Sequence, residues 1–262
     1  MAVVTTASDL VYRVYERRLA RQLRDKPLPR HVGVILDGNR RYARGKGATA
    51  SEGHEAGGRR VDEFLDWCWE LDVPYVTLWL LSTENLDRAA DEVSVLLRVI
   101  EDTVTRIAHH PKAVERRLRV TAVGALDLLP AETRRVLKEA EEATAAHEKF
   151  FLQVAVGYGG RQEITDALRS LLWAKSAEGG TLEDVAATLE PEDIGDHLYT
   201  TGFPDPDLII RTSGELRLSG FLLWQSAHSE FYFCDPYWPD FRRVDFLRAL
   251  REFQRRQRRF GR

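Results

Sequence analysis

Six apolar runs of five to seven residues alternate along the chain with longer stretches in which apolar positions recur every three or four residues. The runs are His31–Leu36, Tyr75–Leu81, Leu118–Gly124, Phe150–Val156, Asp207–Arg211 and Ser229–Phe233. Their β-branched and aromatic residues, bounded by Pro, Gly or Asn, predict strands. Helical spacing marks Gly53–Leu71 through Val61, Phe64, Leu65, Cys68 and Leu71, and Asp91–Ile107 through Leu96, Val99, Ile100, Val104 and Ile107. It recurs after Pro130, a residue suited to a first helical turn, and at Ile164, Ala167, Leu168, Leu171 and Leu172. Strands that lack polar alternation and are separated by helices predict an α/β fold. Its centre is a mostly parallel six-stranded sheet flanked by helices. No Pro/Gly/Ser-rich linker and no fixed-period repeat interrupts the pattern, so residues 1–262 are expected to form a single domain. Ligands of such sheets bind beyond the carboxyl ends of the strands, which directs attention to the residues just after Leu36, Leu81, Val156 and Ile210.

Composition narrows the function. The 262 residues are 44% hydrophobic and 30% charged, a globular balance that excludes a mainly disordered chain. Thirty-eight basic against forty-one acidic residues exclude a surface coated in positive charge for nucleic acid. Two cysteines cannot build a disulfide framework or a four-thiolate metal site, and both sit in apolar surroundings as expected of buried thiols. Met1–Leu10 has no basic start followed by an apolar core, and the apolar run Val73–Leu81 is far below the roughly 20 residues of a membrane span. A soluble, cytoplasmic protein is expected. Residues 241–262 hold nine arginines against two acids, which invites a nucleic-acid or membrane reading. However, Val244, Leu247 and Leu250, or Phe246, Leu250 and Phe253, give a helical apolar face. A helix that completes a dimer is simpler, with no nucleic-acid partner and membrane contact at most peripheral.

The strand ends carry the chemistry. After the first comes Asp37-Gly38-Asn39, then Arg40, Arg41, Arg44 and Lys46. A tight turn into a helix start, with arginines able to make forked contacts, suits a phosphate group. Asp37 could hold a divalent cation bridging to that phosphate, or simply cap the helix of a basic turn. After the second strand come Ser82, Asn85 and Arg88, either ligand-positioning groups or a capping box involving Ser82 or Thr83. The Gly157–Arg161 turn reads as structural, since Gln162 stands where a dinucleotide fingerprint needs glycine. After the fifth strand, Arg211, Arg217 and Ser219 could form a second anion site. Glu230 lies within an apolar run and requires a metal or an arginine if buried, or else faces solvent. The sequence has no Walker loop, no G-x-S-x-G elbow, no H-E-x-x-H and no Asp-Asp-x-x-Asp cluster. Two phosphate sites alone suggest nucleotides or sugar phosphates; with aliphatic helices beside them they suggest a lipid diphosphate.

The segments LDGNRRYA, LLSTENLDR, VAVGYGGR and DLIIRTSGELRLSGFLLWQSAHSEFYF, with WPDF beyond, resemble the signature regions of the cis-prenyltransferases. These are the Z-isoprenyl diphosphate synthases, undecaprenyl diphosphate synthase among them. The resemblance runs in order over roughly residues 30 to 262. It implies a magnesium-dependent homodimeric enzyme that adds isopentenyl diphosphate to an allylic diphosphate with a new cis double bond. Under it, Asp37 is catalytic, holding magnesium and assisting departure of the allylic diphosphate. Gly38, Asn39, Arg40, Arg41, Tyr42 and His54 surround that diphosphate. Ser82, Thr83, Glu84, Asn85, Leu86 and Arg88 form the second polar segment, with Asn85 in the proton-accepting apparatus. Arg211, Arg217, Leu218 and Ser219 bind isopentenyl diphosphate, and Glu230 is a second metal-associated acid. Arg259-Phe260-Gly261 matches an R-x-G element that reaches an active site across the dimer. The sequence departs from the pattern at Ala50, where an arginine is common, at Leu86, where tryptophan is usual, and at Leu81, where phenylalanine is common at the tunnel mouth. With LVYRVYERRL near the start, the chain is most similar to actinobacterial short-chain members that stop at (2Z,6E)-farnesyl diphosphate. A decaprenyl or undecaprenyl synthase and a non-catalytic partner subunit are the alternatives.

Overall fold

A computed structural model describes residues 7–23 and 27–256. In chain order the elements are α1 (Ala7–Leu23), β1 (His31–Ile35), α2 (Asn39–Gly45), α3 (Ala50–Glu70), β2 (Tyr75–Ser82), α4 (Ala90–His109), α5 (Pro111–Glu115), β3 (Leu118–Val123), α6 (Ala131–Thr144), β4 (Phe150–Tyr158), α7 (Gly160–Ala177), α8 (Leu182–Thr188), α9 (Pro191–Gly195), β5 (Leu208–Arg211), β6 (Glu230–Phe233) and α10 (Arg243–Arg256). The strands form one six-stranded sheet in the order β3-β4-β2-β1-β5-β6. The β1/β5, β5/β6 and β3/β4 pairings are all parallel. All six strand expectations are met to within two residues, and the α/β fold with them. Among the described residues no helix is long and apolar enough to cross a membrane. Arg259, Phe260 and Gly261 lie outside the described residues.

The chain resolves into two compact units. One comprises residues 1–76, 206–216 and 229–262, the other residues 77–205 and 217–228. In the first, β1 is buried along its whole length. The α3 helix starts at a complete capping box, Thr49 with Glu52, which satisfies two of the orphan amides of its first turn. Its inner face presents Phe64, fully buried, with ring centroids 4.9 Å from Phe246, 5.7 Å from Trp238 and 6.3 Å from Phe241. The α10 helix buries Val244, Leu247 and Leu250 together with Phe246 and Phe253, so both of its expected apolar faces are used. It packs against α1, and Gln254 Nε2 donates to Leu23 O at 3.2 Å. The Cys234 thiol is buried and pushed up to about 12 by desolvation, the behaviour expected of an inert thiol.

In the second unit, α4 packs on α6, and α6 on the sheet-edge strand β3. The edge is blunted by side chains of α6: Thr144 Oγ1 accepts the Val120 N–H at 3.0 Å and Glu141 Oε1 accepts that of Ala122 at 2.7 Å. Pro130 is the N-cap of α6 rather than its first helical residue. The apolar stripe of α7 is narrower than its spacing predicts. Ala167 and Leu171 are buried, while Leu168 and Leu172 retain 39% and 37% of their exposure because they sit at the margin of the buried face.

Phe64 is the hub of four aromatic contacts within the first unit. Phe64→Ala is expected to destabilise the protein by about 3–5 kcal/mol through lost burial and the cavity left behind. Urea unfolding checks this; a loss below about 1 kcal/mol would show that neighbouring rings close the gap.

Candidate functional site

In the first unit, β1 and β5 run in parallel with Ile35 opposite Arg211, so their carboxyl ends stop at one level. The chain leaving β1 turns at Asp37 and enters α2 through Gly38, whose φ is +103°. A side chain there would be strained, and its Cβ would lie 2.6 Å from the Tyr237 ring and 3.1 Å from Ser213. Asp37 does not cap α2; Gly38 holds that position without a side-chain cap. Instead the Asp37 carboxylate is held by two arginines. Its Oδ2 accepts Arg211 Nη2 at 2.8 Å and its Oδ1 accepts Arg41 Nη2 at 3.1 Å. The Arg41 guanidinium also donates to Ser213 Oγ at 2.8 Å and to Glu215 Oε1 at 3.0 Å, and lies 5.6 Å from the Tyr237 ring centroid. Burial alone would raise the Asp37 carboxyl, but hydrogen bonding and charge from Arg211, reinforced by Arg41, outweigh it and hold the group below the usual carboxylate range. The result is an ionised, half-buried carboxylate whose partners can also grip a phosphate.

The loop after β5 is built to support this cluster. Cys234 N–H donates to Arg211 O at 3.0 Å, Ser213 N–H to Pro236 O at 2.8 Å and Gly214 N–H to Cys234 O at 2.9 Å. Ser213 adopts φ +78°, a left-handed conformation that few non-glycine residues take up. Asn39 starts α2, with Nδ2 donating to Leu36 O at 3.4 Å. Gly53 on α3 lets that turn approach, since a Cβ there would lie 2.4 Å from Asn39 O. His54 is buried beside it in sequence, Arg40 is exposed, and Tyr42 accepts a hydrogen bond from Lys46 Nζ at 2.7 Å.

The second unit gathers the other expected residues. Beyond β2 the chain forms a 3₁₀ turn over Thr83–Asp87, and Ser82 Oγ accepts the Asn85 N–H at 3.2 Å. Ser82 thus acts as a cap. Asn85 and Leu86 are half-buried, Glu84 is exposed, and Arg88 pairs with Glu92 at 2.9 Å. The Gly157–Arg161 turn joins this segment to the one carrying Arg217, Leu218 and Ser219. A Cβ at Gly159 would meet Thr83 Oγ1 at 2.6 Å, and Gly160 N–H donates to Gly220 O at 2.8 Å. Arg217 and Ser219 are exposed, and Leu218 is half-buried. Behind them Phe221 stacks on Trp79 with centroids 5.3 Å apart. Buried Glu163 accepts hydrogen bonds from Tyr158 and from Gln225 Nε2, and its carboxyl is raised chiefly by desolvation.

Two of the expected residues hold partners within the chain. The sequence pairs Arg211 with Arg217 as an anion site, and the nearly buried Arg211 guanidinium donates to Asp37. The resemblance makes Glu230 a second metal-associated acid. Glu230 opens β6, opposite Leu208. Its carboxylate pairs with Arg256 at 3.0 Å. Among the described residues no group of three or more His, Cys, Asp or Glu side chains could cage a metal. Sequence reasoning missed Thr212, Ser213 and Glu215, although T-S-G-E directly after a strand end was a signal for a polar turn.

Residues 35–261 match the protein family described as "Putative undecaprenyl diphosphate synthase". The chain is 59% identical over 252 residues to a (2Z,6E)-farnesyl diphosphate synthase of Thermobifida fusca, covering 96% of this chain and 97% of that protein. It is 52% identical to isoprenyl transferase 1 of Streptomyces avermitilis, with 96% of each chain covered. Among solved structures, lavandulyl diphosphate synthase from Lavandula x intermedia, in complex with dimethylallyl diphosphate, superimposes with a TM-score of 0.78 at 34% identity. That match covers 87% of this chain and 95% of the other.

The Asp37 cluster has an acid signature. The folded state binds a proton at Asp37 less readily than the unfolded chain, whose carboxyl titrates near 3.8. Pairing therefore stabilises the fold above that pH, and the contribution is lost as pH falls through the lower folded value. The stability difference between wild type and Asp37→Asn should be constant near neutral pH and shrink as pH drops below 3.8. Urea midpoints measured from pH 7 to pH 2 test this; a gap that does not narrow would show that the charge on Asp37 is not what the arginines stabilise.

Proposed function

The chain belongs to the undecaprenyl diphosphate synthase, or cis-prenyltransferase, family of isoprenyl diphosphate synthases, and from that premise we propose that it condenses isopentenyl diphosphate with geranyl diphosphate to form (2Z,6E)-farnesyl diphosphate and diphosphate. The observation that carries the substrate reading is the Asp37 carboxylate gripped by Arg41 and Arg211 where two parallel strands end. The short-chain product is supported by the name and 59% identity of the Thermobifida fusca relative. Residues 1–262 act in this reading as a single catalytic domain, supported by a family match that runs from residue 35 to residue 261 across both compact units. The working form is a cytoplasmic homodimer. Half-buried, stacked Phe231 and Phe233 on the edge strand β6 support an association surface.

The chemistry follows from the residues. The C–O bond of the allylic diphosphate breaks, leaving an allylic cation and moving an electron pair onto diphosphate oxygen. The alkene of isopentenyl diphosphate supplies the electrons of the new C–C bond, and loss of one proton forms the cis double bond. Arg41 and Arg211 each donate one Nη2 hydrogen bond to Asp37 and can exchange those carboxylate oxygens for phosphate oxygens, which stabilises the charge developing on the leaving group. Asp37 is the carboxylate that would hold a magnesium ion, a cation of the kind that one carboxylate and substrate phosphates can bind together. Bound there, the ion would help neutralise the departing diphosphate. Arg217 and Ser219, exposed on their loop, suit the second diphosphate. Asn85 is a weak base and orients or relays the proton towards diphosphate oxygen. Leu81, buried at the end of β2, limits the apolar volume open to a growing chain.

Radiolabelled isopentenyl diphosphate with geranyl diphosphate should give one fifteen-carbon Z product from the purified chain; decaprenyl or undecaprenyl products would overturn the short-chain reading. Asp37→Ala should lower kcat by about 10²–10³-fold, a loss typical of a removed transition-state charge contact. Wild-type turnover in that variant would remove Asp37 from the mechanism. Leu81→Ala is expected to shift products towards longer chains, and an unchanged distribution on chromatography would place the length limit elsewhere.

A further inference from the structure

Thr212, the first residue after β5, is completely buried, and its hydroxyl serves the main chain of Asp37 on both sides. Its Oγ1 accepts the Asp37 N–H at 3.0 Å and donates to the Asp37 carbonyl at 2.8 Å; Ile35 O, at 3.3 Å, is the longer alternative acceptor. One hydroxyl has one proton and two acceptor lone pairs, and these two contacts use the proton and one lone pair. Asp37 has one further backbone partner on each side. Its N–H also faces Ile35 O at 3.0 Å across a tight three-residue turn, and its carbonyl accepts Trp238 N–H at 2.9 Å. Removing the hydroxyl would leave each polar group with a single partner and loosen both peptides that flank the Asp37 side chain.

Orientation matters here because the Asp37 side chain must reach two guanidinium groups at once. Arg211 is almost buried and takes one oxygen, while Arg41 approaches the other from α2. Gly38 comes next at φ +103° against Tyr237, so the chain beyond Asp37 has no room to compensate. A small rotation of the main chain at Asp37 would swing the carboxylate off both guanidinium groups, and misplacement by about 1 Å can cost on the order of 10²-fold in rate.

We propose that Thr212 is the positioning residue of the site: its solvent-excluded hydroxyl sets the direction in which the Asp37 carboxylate leaves the main chain, and thereby its alignment with Arg211 and Arg41. The inference rests on the role given to Asp37 above and names a residue that acts through it without touching substrate.

The test compares Thr212→Val, which replaces the hydroxyl by a methyl group, with Thr212→Ser, which keeps it. In the substrate-free protein, amide exchange at Asp37 should rise about tenfold or more in the valine variant, as expected when a local hydrogen bond is lost, and stay near wild type in the serine variant. The kcat of the valine variant should fall roughly 10–100-fold, with KM for isopentenyl diphosphate changed less than about threefold, and serine should restore kcat to within about threefold. A folded valine variant with wild-type exchange at Asp37, or one with a lower Tm but unchanged kcat, would overturn the proposal. If the valine variant does not fold, Thr212→Ala replaces it in the same comparison. Should the wild-type chain make no prenyl product, the function proposed above fails, while the exchange comparison still decides whether Thr212 orients Asp37.

Discussion

A carboxylate shared between two guanidinium groups is the constraint around which the first unit is arranged. Asp37 would be unstable as a half-buried charge alone, and Arg211 more so, since it is nearly excluded from water. Each makes the other tolerable, and breaking one side of such a pair costs far more than the pair contributes. Arg41 closes the cluster from α2, and Glu215 balances its charge. Two acids and two arginines therefore neutralise one another around groups that a diphosphate can recruit. The parallel register that sets Ile35 opposite Arg211 is what makes this cluster possible, because it ends β1 and β5 at the same level.

The second unit solves a different problem, that of holding an irregular loop. Residues 217–228 contain the left-handed positions Ser219, Gly220 and Leu222. The segment is tied down by Gly160 N–H on Gly220 O, by Phe221 stacked on Trp79, and by Gln225 on buried Glu163. Here the Gly157–Arg161 turn is structural, as expected from its lack of a dinucleotide fingerprint. Its glycines permit backbone approach where Thr83 and Gly220 come close.

The site was partly legible in the sequence. Asp37, Arg41 and Arg211 stood out as charged residues at strand ends, where ligands of parallel sheets bind. The finer assignments stayed open where one residue had several possible partners. Ser82 can position a ligand or cap a turn, and its hydroxyl accepts the Asn85 N–H. Glu230 can meet a metal or an arginine, and Arg256 pairs with it. Thr212, Ser213 and Glu215 carry no motif of their own. Their importance lies in being opposite Asp37 and Arg41.

The amino-acid sequence by itself determined the strands, the bounds of α3 and α4 to within three residues, the turn at Gly38 and the order of the motifs. Those features depend on nearest neighbours: apolar period, capping residues and the φ angles that glycine tolerates. Tertiary structure alone decided which acid meets which arginine. Asp37 and Arg211 are 174 residues apart, and nothing local couples them. Strand register and the burial of Thr212 do so, because a hydrogen bond is made or lost within a fraction of an ångström, a precision that periodicity does not encode.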